Sequence, residues 1–220
     1  MRVVPVTGGP GGWAHMIIRQ WPVEAIITES GAFYYYIEGG TVRMTVHPSI
    51  EALPFDPRGA AARLRERVLR EVPGSRVASD QPFRLYDLAF DVNESEPKLG
   101  WEQAEEILRI CSDEGARSQV SSIHVNAWYG AYDKLEMTKY YLHERYGLSE
   151  EQMKRQVAYC GDALNDQPMF DFFPSSFAVA NVRRVQERME VFPAYITEGE
   201  GGYGFAEVAD ALLQSGRSGA

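Results

Sequence analysis

A chain of 220 residues, 45% of them hydrophobic, is long enough for one large domain or two small ones around a substantial core. Its net charge of −9 argues against a nucleic-acid surface, and no stretch approaches the ~18 uninterrupted apolar residues of a membrane span. Cys111 and Cys160 are too few for a disulfide framework, and no charged-then-apolar leader opens the chain, so the reading is a cytoplasmic protein.

The first 45 residues read β-loop-α-β-β. Arg2–Val6 is expected as a strand, Trp13–Trp21 as a brief helix and Ala25–Thr28 as a second strand. Phe33–Ile37 and Thr41–Thr45 flank Glu38-Gly39-Gly40 and predict a hairpin with a glycine-rich turn. From residue 46 the pattern changes to α-β-α-β. Asp56-Pro57 carries the cap and first-turn proline of a helix with Ala61, Leu64, Val68 and Leu69 on one face. Arg84–Val92 is expected as a strand, Trp101–Glu114 as a helix stopped by Gly115, and Gln119–Asn126 as one further strand. The remainder returns to alternating elements: a helix from Asp133 to Tyr146 closed by Gly147, then a capping box at Ser149 and Gln152. The strands Val157–Cys160, Phe177–Ala180 and Ala194–Ile196 follow, and their short connections predict parallel crossovers.

The densest chemistry lies in Tyr159–Phe170, Y-C-G-D-A-L-N-D-Q-P-M-F. An apolar strand ends at Gly161, and Asp162 would then project from its carboxyl end, where ligands sit in parallel α/β sheets. Asp162, Asn165 and Asp166 crowd two carboxylates and an amide together, which a cation or phosphate would balance. A plain strand-to-helix turn uses the same residue types. Lys134 is expected in the first helical turn, where the helix dipole disfavours a cation unless a phosphate lies there too. Thr7 offers a hydroxyl and an N–H at a strand end, and the glycines after it let an anion approach the main chain.

The segment Tyr159–Phe170 resembles the fourth motif of the haloacid dehalogenase-like (HAD) superfamily, within it the Cof-type, sugar-phosphatase-like subfamily IIB. Val4-Pro5-Val6-Thr7-Gly8 is similar to the second motif, Ile26–Ala32 to the E-N-G-A strand, and Tyr132-Asp133-Lys134 to the D-K start of the third-motif helix. Ala194–Thr197 and Gly202–Phe205 are similar to the last strand and turn. The resemblance implies an α/β fold: a three-layer Rossmann-like core with a mainly parallel sheet and an inserted α/β cap. The core would comprise residues 1–45 and 129–220 and the cap residues 46–128.

It further implies Mg²⁺-dependent hydrolysis of a small phosphorylated metabolite such as a sugar phosphate. Asp162 would ligate Mg²⁺, while Thr7, Gly8, Lys134 and Asn165 would contact the phosphate. Asp166 would orient the lysine or a metal-bound water, with Lys134 and Asp166 as the catalytic pair. Asp162 and Lys134 would then converge on one pocket. The sequence departs from the family at Gly9, where an arginine usually follows T-G, and at Ser30, where asparagine is usual. It also departs at the nucleophile, since no two aspartates are separated by two positions as D-x-D-G-T requires. The first central strand is therefore expected to be missing, leaving open a late start, a truncated chain or a degenerate relative that only binds phosphate and Mg²⁺. A sheet without that strand would favour dimerisation by strand exchange.

One further reading is a nicotinamide-dinucleotide enzyme, because Gly9-x-Gly11-x-x-Ala14 follows a strand and Glu29 ends the next one. The four histidines (His15, His47, His124 and His143) form no zinc pattern. His124 and Asn126 alternate on one strand, facing either a substrate gap or the interior. Arg84, Asp87 and Asp91 read as surface or substrate-selecting residues.

Overall fold

The computed structural model describes residues 1–217, and the chain divides after Glu144 into two compact units. In the first, residues 3–7 run alongside β1 (Ala25–Thr28), because Pro5 O accepts from Ile27 N at 2.9 Å and Thr7 N donates to Ile27 O at 3.0 Å. Only Val6 registers as a parallel bridge to Ile27, so the strand expected at Arg2–Val6 shrinks to one residue. Pro5 has no N–H to extend the ladder, which accounts for the break. The helix α1 (Gly11–Gln20) starts two residues before the expected Trp13, directly after Pro10. Its Ala14 and Ile18 pack on Ile26.

The hairpin β2 (Phe33–Glu38) and β3 (Thr41–Val46) forms as expected, with both Gly39 and Gly40 at positive φ (57° and 74°). Those angles belong to the primed turns that match the twist of a hairpin. Strand order is β1-β2-β3, antiparallel, and the short α2 (Pro48–Glu51) follows.

A second three-stranded sheet takes up the middle of this unit. The helix α3 (Pro57–Glu71) begins where Asp56 accepts from Arg58 N and Gly59 N at 3.0 Å. It lies with α4 (Trp101–Asp113) against the sheet, burying Leu64, Val68 and Ile107 on Phe90 and Val125. The strand expected over 84–92 is confined to β4 (Leu88–Asp91), because residues 84–87 make other bonds described below. The single strand expected at 119–126 is instead a hairpin of β5 (Arg117–Val120) and β6 (His124–Trp128). Ser121 makes the turn: its N–H donates to His124 O at 2.8 Å and its hydroxyl accepts from His124 N at 3.0 Å. Ser121-Ser122 interrupts the apolar alternation, but no glycine or proline marks the reversal, which is why the sequence read as one strand. The sheet order is β4-β6-β5, antiparallel throughout.

The helix α5 (Lys134–Tyr146) carries the chain across the division, and Gly147 (φ 66°) closes it. In the second unit, Ser149 and Gln152 form the expected capping box of α6 (Glu150–Gln156). The strands β7 (Ala158–Gly161), β8 (Ser175–Ala178) and β9 (Tyr195–Ile196) pair in parallel in that order, with α7 (Gln167–Phe172) connecting the first two. α8 (Gly201–Arg217) ends the described chain. The architecture is mixed α/β, as expected. No helix among the described residues is long and apolar enough to cross a membrane.

Candidate functional site

Residues 7–9 form a loop whose three carbonyl groups are all held by donors. Thr7 O accepts from Ser30 N (3.2 Å), and Gly9 O accepts from Glu29 N (3.1 Å) and the Thr28 hydroxyl (2.7 Å). Gly8 O accepts from Arg84 Nη1 (2.8 Å) and Asn126 Nδ2 (3.3 Å). The Thr7 hydroxyl in turn accepts from Gly9 N at 2.9 Å. The Gly8 N–H has no acceptor among the described residues and so remains available to a ligand.

The turn after β1 explains this geometry. Glu29, Ser30 and Gly31 all have positive φ (47°, 57° and 102°), an unfavourable conformation for the two non-glycine residues. The buried Glu29 carboxylate offsets that strain by accepting from four main-chain N–H groups. Oε1 takes Gly11 N (2.9 Å) and Leu85 N (2.9 Å), and Oε2 takes Tyr86 N (2.7 Å) and Asp87 N (3.2 Å). Burial, and then the neighbouring Asp87 carboxylate, push the Glu29 carboxyl up to about 7 against the pull of those donors. Gly31 cannot be replaced: a Cβ there would lie 2.1 Å from Asp133 O and 3.1 Å from Lys134 N. The same close approach sets the turn against the start of α5. Thr7, Gly8 and Lys134 are therefore linked within one unit through Ser30 and Gly31. Lys134 is buried in the first turn of α5, and Asp133 caps that helix by accepting from Glu136 N at 2.9 Å.

In the second unit, β7 ends at Gly161 and the exposed Asp162 stands at its carboxyl end. Asp166 is turned inward. Its Oδ1 accepts from the Tyr159 hydroxyl (2.8 Å) and its Oδ2 from Asp162 N (2.8 Å) and Ala163 N (3.1 Å). A Cβ on Gly161 would come within 2.5 Å of Asp166 Oδ2, so the glycine is what lets this carboxylate close the turn. Burial, and then Asp166, hold the Tyr159 phenol well above its ordinary pKa, keeping it a neutral donor. Asn165 is buried in the same turn. Burial also raises the Cys160 thiol to about 11, so it is no nucleophile at neutral pH.

No protein-family model and no curated protein matches the sequence. Solved structures do match. A Thermoplasma acidophilum protein aligns over 97% of this chain and 83% of its own at 15% identity, with a TM-score of 0.69. The sucrose-phosphatase of Synechocystis sp. PCC6803, solved with sucrose and phosphate, covers 96% of this chain and 84% of its own (14% identity, TM-score 0.68). A HAD subclass IIB sugar phosphatase covers 96% and 85% respectively, at 14% identity and a TM-score of 0.59.

The fold is that of the HAD phosphatases.

On the HAD fold, the residues singled out in the sequence fall into two sets: Thr7, Gly8 and Lys134 in the first unit, and Asp162, Asn165 and Asp166 in the second. The Mg²⁺ that the resemblance implies finds partial provision. Among the described residues no three His, Cys, Asp or Glu side chains gather into a metal-binding group. Mg²⁺, however, commonly takes only one or two carboxylates and fills its octahedron with water and phosphate oxygens. The exposed Asp162 at a strand end fits that single-carboxylate role.

The dinucleotide reading loses its acidic residue, because the Glu29 carboxylate is occupied by main-chain donors and cannot reach a ribose. Sequence reasoning read Arg84 and Asp87 as surface or substrate-selecting residues, named Glu29 only within the E-N-G-A and dinucleotide readings, and left open whether Asn126 faced a substrate gap or the interior. Arg84 and Asp87 are buried, not surface residues, and they pair at 2.9 Å. Asp91 is buried as well, held by Arg76 at 2.7 Å. Asn126 is likewise interior, donating to Asp87 at 2.9 Å. The available signal was their position: polar residues at 87, 91, 124 and 126 keep to one face of otherwise apolar strands.

Proposed function

We propose that this chain binds a phosphomonoester in the manner of the HAD phosphatases and acts as a Mg²⁺-dependent phosphomonoester hydrolase on a small phosphorylated metabolite such as a sugar phosphate. The observation that supports the reading is the Thr7–Gly9 loop: its carbonyls are tied back, and the Gly8 N–H has no acceptor among the described residues. A phosphate oxygen can accept from that N–H and from the Thr7 hydroxyl. Lys134, in the first turn of α5, supplies a cation, and Asn165 a side-chain amide. Asp162 is the metal ligand, and the metal would neutralise charge on the phosphoryl oxygens. Asp166 fixes the turn that presents Asp162 and Asn165. Residues 46–128 form a cap over a core of residues 1–45 and 129–220, in a cytoplasmic protein able to form homodimers.

A second reading, a non-catalytic phosphate- and Mg²⁺-binding protein, is favoured by one observation: no pair of aspartates has the D-x-D spacing of the family's nucleophile and acid. One experiment separates the two. The protein is incubated with p-nitrophenyl phosphate and a panel of sugar phosphates, with Mg²⁺ or EDTA, and vanadate binding is measured in parallel. Mg²⁺-dependent release of phosphate, lost in Asp162→Ala while the Tm is retained, is the result expected of the hydrolase. Vanadate binding without turnover supports the second reading, and neither binding nor turnover overturns both.

A further inference from the structure

We propose that Arg84 and Asn126 are positioning residues for the anion-binding loop, acting through the Gly8 carbonyl and never touching the phosphate themselves. The inference rests on the reading above, that Thr7–Gly9 receives a phosphate.

A peptide group has two ends, and an anion is attracted to its N–H and repelled by its C=O. The peptide in question joins Gly8 to Gly9, and both its orientations are open to glycine. As it lies, its N–H donates to the Thr7 hydroxyl at 2.9 Å, which leaves that hydroxyl's own proton for the anion. Its carbonyl end is held from elsewhere in the chain. The Arg84 guanidinium donates to Gly8 O at 2.8 Å, and Asn126 donates to the same oxygen at 3.3 Å. Two donors saturate this carbonyl and hold it away from any anion.

The donors are in turn fixed. The Arg84 side chain is fully buried, with Nε on Asp80 at 2.9 Å and Nη1 on both oxygens of Asp87 at 2.9 and 3.0 Å. Asn126 also donates to Asp87, at 2.9 Å. Burial by itself would lower the Arg84 pKa, but Asp87 and Asp80 outweigh it and keep the guanidinium charged. Asp87 N lies on the Glu29 carboxylate, which also holds the turn beside the loop. A rigid guanidinium fork suits this task, since it reaches two carboxylates and a carbonyl at once while a lysine ammonium is a single point donor. Such a network is expensive to bury and is otherwise unexplained by the packing of the sheet.

The test uses the full chain and inorganic phosphate as ligand, read by calorimetry and by the ¹⁵N–¹H resonances of Gly8 and Gly9. Asn126→Ala removes one donor and leaves the Arg84–Asp87 pair in place. Arg84→Lys keeps the charge but not the fork. The expected result is a roughly tenfold or greater loss of phosphate affinity in each variant, the scale of one misplaced hydrogen bond to an ion. The Gly8 and Gly9 resonances of the unliganded protein should move, while Thr28 and Ile26 should not. Should Arg84→Lys fail to fold, Asn126→Ala carries the test alone. Phosphate binding by the wild type that is unchanged in the folded variants overturns the positioning role and leaves the proposed function standing. Absence of binding by the wild type overturns the proposed function, and this inference with it.

Discussion

Glu29 makes the stability of the first unit depend on pH in an unusual direction. Its carboxyl is raised from an ordinary 4.5 to about 7 by burial and then by Asp87. Between those values the folded protein keeps a proton that the unfolded chain has released, so stability is fully present below pH 4.5 and is lost as pH rises through 7. At about 1.4 kcal/mol for each pH unit separating the two values, the loss is about 3 kcal/mol. Other groups act differently: Asp91 is buried, yet hydrogen bonds led by Arg76 bring it down to about 2, so its contribution disappears only in acid. His47, lowered by burial, gains stability with rising pH. Subtracting a Glu29→Gln variant from the wild type removes these background slopes. Urea unfolding of both proteins at half-unit steps from pH 4.5 to 8 should give a difference curve that falls by about 3 kcal/mol toward high pH. Below pH 7 the wild-type carboxyl carries an O–H where the variant has its amide N–H₂, so the variant keeps one non-titrating group at this position across the whole range. A flat difference curve, or one that rises with pH, would refute the reasoning and mean that the four main-chain donors dominate burial and Asp87.

Two further outcomes test the turn that presents Asp162. Gly161→Ala should lower stability by about 1–3 kcal/mol, because the new methyl falls within 2.5 Å of an Asp166 oxygen that two main-chain donors hold in place; thermal unfolding checks this. Tyr159→Phe should cost about 1–3 kcal/mol by removing the phenol donor from buried Asp166, and an unchanged Tm would show that the hydroxyl is dispensable.

The elements with strong local signals were legible in the sequence. Asp56-Pro57, Ser149 with Gln152, and Gly39-Gly40 each fix their backbone through bonds to near neighbours, and all three appear as read. At Gly161–Asp166 the residue types allowed both a ligand-binding cluster and a plain strand-to-helix turn, and the bonds that close the turn span only a few residues. What escaped was non-local. Arg84 reaches Gly8 across 76 positions and Asn126 reaches it across 118, and neither partner carries a mark in the sequence beyond polarity. The segment 84–87 read as strand because its composition allows one. Its amides instead bind Glu29, and a tertiary partner decided between two locally acceptable conformations.

The grip of Glu29 on Leu85, Tyr86 and Asp87 is made to amide hydrogens alone. Every residue type except proline offers the same hydrogen, so the identities of Leu85 and Tyr86 are free to drift without releasing the carboxylate. Evolution can thus rewrite the exposed Leu85 while the fastening stays intact, whereas Tyr86 also packs its ring on Phe33; proline is the one replacement at those two positions that would undo the fastening chemically.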